Sequence, residues 1–144
     1  MREILFRGKC KTDNEWLYGF PYVTRKNAVK INWYCSEFGS MRTDEVIPET
    51  VGQYTGLTDK NGKKIFEGDI ISIPFEEDRY PYEENVTYYE NAEVYFDTER
   101  YGWYVRYFDD DSLSLCEYDD CDITVIGNIH DNPELLKVGD ENDT

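Results

Sequence analysis

Apolar and polar residues alternate with a two-residue period along much of this 144-residue chain, the rhythm of half-buried β-strands. Ile4 and Phe6 share one face of a first segment, and Val29, Ile31 and Trp33 oppose Lys30 and Asn32 in another. Ala92, Val94 and Phe96 oppose Glu93, Tyr95 and Asp97; Trp103, Val105 and Tyr107 share a face, as do Leu113 and Leu115. Ile123 and Val125 begin a last apolar strand ending near Ile129. Turn chemistry separates these segments. Asn61-Gly62 predicts a type I′ turn, which sets Lys60 opposite Lys63 across a tight hairpin. Gly68-Asp69 opens an apolar strand from Ile70 to Ile73 that Pro74 is expected to stop, and Thr98 to Gly102 joins two further strands. Phe75 to Asn91 reads as a loop, because Glu76-Glu77-Asp78, Pro81 and Glu83-Glu84-Asn85 oppose regular structure. Its Tyr80, Tyr82, Tyr88 and Tyr89 want a surface to pack on, whether their own fold or a partner. Helix is scarce: Asn132 as N-cap, Pro133 at the first position and Glu134 in the first turn predict a short terminal helical turn. Residues 139–144 read as a frayed acidic tail.

The pattern predicts an all-β, mostly antiparallel fold. It forms one domain over 1–144, or two sub-domains, 1–75 and 92–138, joined by the acidic tyrosine-rich loop 76–91. Composition agrees, since 13 Tyr, 7 Phe and 3 Trp suit a pleated surface. The formal charge of −16 is uneven. Residues 1–75 carry 11 Lys+Arg and 10 Asp+Glu, whereas residues 76–144 carry 4 and 21, so the acidity lies in the second half. That half repels phosphate backbones and favours a basic partner, or simply keeps a tyrosine-rich surface in solution; nucleic acid is disfavoured there, and the near-neutral first half leaves the question open. Neither a signal peptide nor a membrane span is legible, so a cytoplasmic location is expected, with Cys10, Cys35, Cys116 and Cys121 as reduced thiols.

Catalytic chemistry is hard to find. The one histidine, His130, lies in the turn before the terminal helix rather than beside a nucleophile. Cys116 and Cys121 are spaced just beyond the usual zinc pair. Asp109-Asp110-Asp111 and Asp119-Asp120-Cys121-Asp122 offer hard oxygen ligands but match no calcium loop, and solvated loop charge is the simpler reading. The chain contains no Asp-x-Lys or Glu-x-Lys pair of the kind restriction-type nucleases use, and no phosphate-cradling glycine loop. No cofactor, no metal site and no catalytic residue is assigned.

Two stretches resemble the signature of the YopX family of phage and prophage proteins. One runs from Tyr54 to Ile71 through Asp59-Lys60-Asn61-Gly62-Lys63-Lys64-Ile65-Phe66-Glu67-Gly68-Asp69, and the other from Val125 to Leu136 through Gly127-Asn128-Ile129-His130-Asp131-Asn132-Pro133. Ile4-x-Phe6-Arg7 fits the family's opening as well. The resemblance implies a phage or prophage origin and small barrel-like sheets, and it implies no reaction. Lys60, Asn61, Gly62, Lys63, Lys64, Glu67, Gly68, Asp69, Asn132 and Pro133 are the signature positions, each with a plain structural explanation in turns and strand entrances. The leading expectation is a non-enzymatic accessory module that binds a phage or host protein. The alternatives are an acidic mimic of nucleic acid, a metal-dependent hydrolase or nuclease built on the acidic clusters, and a nucleic-acid-binding barrel that uses the first half. Homo-oligomerisation through strand edges stays open.

Overall fold

The computed structural model describes residues 3–107, 112–117 and 122–136. It divides into two compact units, Met1–Gly56 and Leu57–Thr144. Eleven strands are described: β1 Phe6–Lys9, β2 Trp16–Val23, β3 Val29–Cys35, β4 Ser40–Glu45, β5 Gly52–Thr58, β6 Lys64–Phe66, β7 Asp69–Glu77, β8 Val86–Asp97, β9 Gly102–Arg106, β10 Ser112–Ser114 and β11 Thr124–Asn128. They form two sheets, ordered β4-β3-β2-β1-β5-β6 and β10-β9-β8-β7-β11. The all-β, antiparallel expectation holds. The barrel-like expectation does not: both sheets stay open, each ending in edge strands rather than closing on itself.

In the first unit β1 to β4 run as a meander, and β5 returns to pair with the free side of β1. The register puts Leu17, Val29, Ile31, Trp33 and Cys35 on one face, where Cys10, Val46 and Val51 complete a small core. Close approach requires glycine at one point. A Cβ on Gly19 would lie 1.9 Å from the Asn32 carbonyl oxygen, inside any contact distance. The other face of the same strands carries Tyr18, Phe20, Tyr22 and Tyr34, all exposed.

In the second unit Ile71, Ile73, Ala92, Val94 and Val105 form the centre of a core that Ile65, Leu115 and Ile123 close. Burying one such aliphatic side chain contributes roughly 2 kcal/mol relative to leaving it in water. The expected loop 76–91 is instead mostly strand. β7 continues through Pro74 to Glu77, and β8 begins at Val86, paired from Glu77↔Val86 to Ile70↔Glu93. Proline is tolerated because β11 accompanies β7 only as far as Ser72, leaving Pro74 on a stretch with a single neighbour. The aromatics explain why acidic residues do not break the hairpin: Phe75 stacks on Tyr88 at 5.7 Å and meets Tyr107 edge-on at 5.4 Å. Only the tip, 78–85, is irregular, and there Tyr80 and Tyr82 stand in solvent. The terminal helical turn is a single 3-10 turn, Pro133–Leu136. Among the described residues no helix is long and apolar enough to cross a membrane.

Candidate functional site

The first signature is organised around two buried aspartates. At the β5–β6 hairpin the Gly62 amide donates to the Asp59 carbonyl and the Asp59 amide to the Lys63 carbonyl. The positive φ falls on Gly62 alone of the turn residues. This is a three-residue turn with a glycine bulge, not the expected type I′ turn, so Lys63 faces Asp59 and Lys60 sits within the turn. The organiser is Asp59, 3% exposed. One carboxylate oxygen accepts the Asn61 and Lys63 amides, each at 2.9 Å, and the other accepts the amide of Val125 at 2.9 Å. Burial pushes this carboxyl's pKa up, but the Val125, Lys63 and Asn61 amides and the charge of Lys63 outweigh it and hold the value below the ordinary 3.8. The Lys60 amide adds a bond to the Ile123 carbonyl, so the hairpin is fastened to the strand that opens the second signature.

The next corner repeats the device. Asp69, 1% exposed, accepts the Phe66 amide at 2.7 Å, while Gly68, at φ +92°, donates to Val94 and accepts from Ile129. In the second signature the Asn128 side chain accepts the His130 and Asp131 amides, and the Asn132 side chain accepts the Asn128 amide. Gly127 has no room for a side chain, since a Cβ would meet Asn132 Oδ1 at 2.6 Å. The Asn91 side chain donates to the Leu135 carbonyl and anchors the 3-10 turn that Pro133 begins. Lys60, Asn61 and Lys63 are exposed at the hairpin tip, whereas Lys64 and Glu67 are half-buried. The structure therefore brings the signature positions together as a framework. Among the described residues no three His, Cys, Asp or Glu side chains converge as metal ligands. Asp109 to Asp111, Asp119, Asp120 and Cys121 lie outside the described residues, as does the 139–144 tail. Cys10 and Cys35 are buried free thiols, and Cys116 is an exposed one.

A cleft of about 500 Å³ opens in the first unit. Its floor is Cys10, Leu17 and Cys35; three rings, Trp16, Trp33 and Phe38, and four carboxylates, Asp13, Glu15, Glu37 and Asp44, surround it. Arg42 is the single basic lining residue, and its guanidinium sits 5.1 Å from the Phe38 ring centre. Trp33 is fixed by its indole N–H, which donates to Asp44 at 2.8 Å. The Glu15 amide donates to Asp13, and that bond, followed by one from the Cys10 thiol, lowers the Asp13 pKa. Carboxylates beside aromatic rings suit an organic cation, as the Arg7 guanidinium 4.5 Å from the Trp16 ring centre and Arg42 beside Phe38 already illustrate. Sequence reasoning passed over this group. The four acids come from the β1–β2 loop, the β3–β4 turn and β4, and no local pattern announces that they meet.

A model described as YopX protein matches residues 5–137 of the chain. Among solved structures, the crystal structure of protein EF1440 from Enterococcus faecalis is similar, with 26% identity and a TM-score of 0.57, covering 95% of this chain and 100% of that one. No curated protein matches.

Proposed function

The chain belongs to the YopX family, and on that footing we propose that it is a non-enzymatic binding module whose first unit grips a basic side chain of a protein partner. The cleft carries this reading: four carboxylates and three aromatic rings around one space, with Arg42 as the lone basic residue on its wall. An enzyme of the acid–base kind would need a titrating group poised against a reacting atom. In the cleft the Glu15 amide holds the Asp13 carboxylate and Asp44 accepts the Trp33 indole N–H, so both acids are engaged in fixed hydrogen bonds. The tip of the β7–β8 hairpin supplies a second acidic and aromatic surface, where Tyr80 and Tyr82 stand beside Glu83 and Glu84. Both features favour a basic partner of phage or host origin, encountered in the cytoplasm.

Calorimetric titration with a lysine- and arginine-containing peptide tests the reading. Binding is expected, weakening with salt, and weakening about tenfold or more in a Glu15→Lys/Glu37→Lys double variant, which reverses two charges at exposed positions. The same peptide with its lysines acetylated and its arginines replaced by glutamine should not bind. Equal binding of both peptides, or no effect of the double variant, removes the cleft from the function.

A further inference from the structure

We propose that the β2–β3 part of the first sheet, on the face away from its small core, is a stacking surface for single-stranded nucleic acid; the β1 and β5 part of that face is covered, with Arg7 and Tyr54 buried. Tyr18, Phe20 and Tyr22 occupy alternate positions of β2, so their Cβ atoms follow one another at about 6.8 Å along one face. Asn32 lies directly across from Phe20, and Tyr34, two residues on, lies diagonally from it. These rings are 47%, 52%, 43% and 61% exposed, although each is large and apolar enough to be sought by a core. Phe20 and Tyr34, each more than half exposed, offer π-faces to bases, with Tyr18 and Tyr22 partly exposed beside them, and stacking tolerates any base.

The charges around the rings favour an anion. Lys30 stands opposite Tyr22, and Lys9 shares the face through its pairing with Trp16, where its ammonium lies 5.8 Å from the ring centre. Arg25 and Lys26 extend the cationic border at the β2–β3 turn, adjoining Tyr22. That turn is fixed by the Thr24 amide donating to the Ala28 carbonyl and the Ala28 amide to the Thr24 hydroxyl. Glu45 is the one carboxylate among the strand positions of this face, and Lys11 pairs with it at 3.1 Å. The strand positions of this face thus carry Arg7, Lys9 and Lys30 against the single Glu45. A second copy of the chain is the competing occupant. It would set Lys30 and its neighbours against their own kind across a symmetric contact, which like charges oppose.

The test is fluorescence anisotropy of a short labelled oligothymidylate at low and high salt, with the intact chain. Salt-sensitive binding is expected, reduced about tenfold or more in Phe20→Ala/Tyr34→Ala, because each base–ring stack contributes roughly 1–3 kcal/mol. Lys30→Glu, at a half-buried position outside the core cluster, should weaken binding separately and flatten its salt dependence. Near-ultraviolet circular dichroism and retained binding of the basic peptide verify that the variants are folded, and they separate failure of this proposal from failure of the cleft reading. No binding at low salt, or binding that these folded variants leave unchanged, overturns it. So does a dimer in sedimentation that Phe20→Ala/Tyr34→Ala dissolves, which would assign the rings to self-association.

Discussion

The two units use their distinctive residues in opposite ways. In the second unit Asp59, Asp69, Asn128 and Asn132 through their side chains, and Gly68 through its backbone, satisfy amides and carbonyls that a tight corner would otherwise strand. Its core is the larger one, with Ile65, Ile71, Ile73, Val94, Val105, Leu115 and Ile123 almost fully shielded. The first unit has four buried side chains in its core cluster, Cys10, Leu17, Ile31 and Val46, and presents both a cleft and an open aromatic face to water. The lesson is that a recognisable signature marks difficult backbone geometry more readily than it marks a ligand site. An accessible surface can be assembled from residues that no motif singles out.

The largest effect should come from Gly19→Ala, because the new methyl would occupy the space of the Asn32 carbonyl and force β2 from β3. A loss of about 4 kcal/mol or more is expected. Hydrogen exchange should report it as loss of protection in β1 to β4, with the core strands β7 to β9 still protected. Simultaneous loss in both would break the contrast and make the two units one cooperative structure.

Asp59→Ala comes next, at about 2 kcal/mol, since it leaves three amides in a half-buried corner without their acceptor. Denaturant unfolding followed by exchange should locate this loss in β5, β6 and β11. Asp59→Asn should cost about half as much, because an amide oxygen still accepts. If Asp59→Ala proves neutral, the framework role of the first signature is wrong.

The smallest effect is a pH dependence. The folded-state pKa of Asp59 lies below its ordinary value, so its ionised form stabilises the fold at pH above about 3.8 and that contribution fades as the pH falls through the folded value. Asp97 acts in the same direction: the Arg100 side chain first, then the Arg100 and Glu99 amides, lower its pKa. Acid unfolding of Asp59→Asn should therefore begin from lower stability but fall less steeply below pH 4 than the parent. Parallel acid curves would deny Asp59 its share.

Much of this was legible in the chain. Alternation at Val29–Trp33, Ala92–Asp97 and Trp103–Tyr107 marked β3, β8 and β9, because a two-residue period reports local geometry and needs no knowledge of the partner strand. Asp59 was within reach too, as an Asp just before Lys60-Asn61-Gly62 is placed to accept amides two and four residues on. β2 escaped because Trp16 to Val23 is apolar at nearly every position, and that absence of alternation was itself the trace of a strand with aromatic rings on its open face. Residues 86–91 escaped because charge and proline argue for a loop until Tyr88 finds Phe75.

By itself, then, the sequence determined the all-β class, the turn positions and the apolar stripes, all of which follow from forces acting over a few residues. Tertiary structure alone decided that Asp59 meets Val125 across 66 positions, that the sheets stay open, and which side of each stripe faces water. Those outcomes depend on which distant strand arrives to satisfy an amide or cover a ring. Local alternation places side chains on two faces and leaves the choice between them to the rest of the chain.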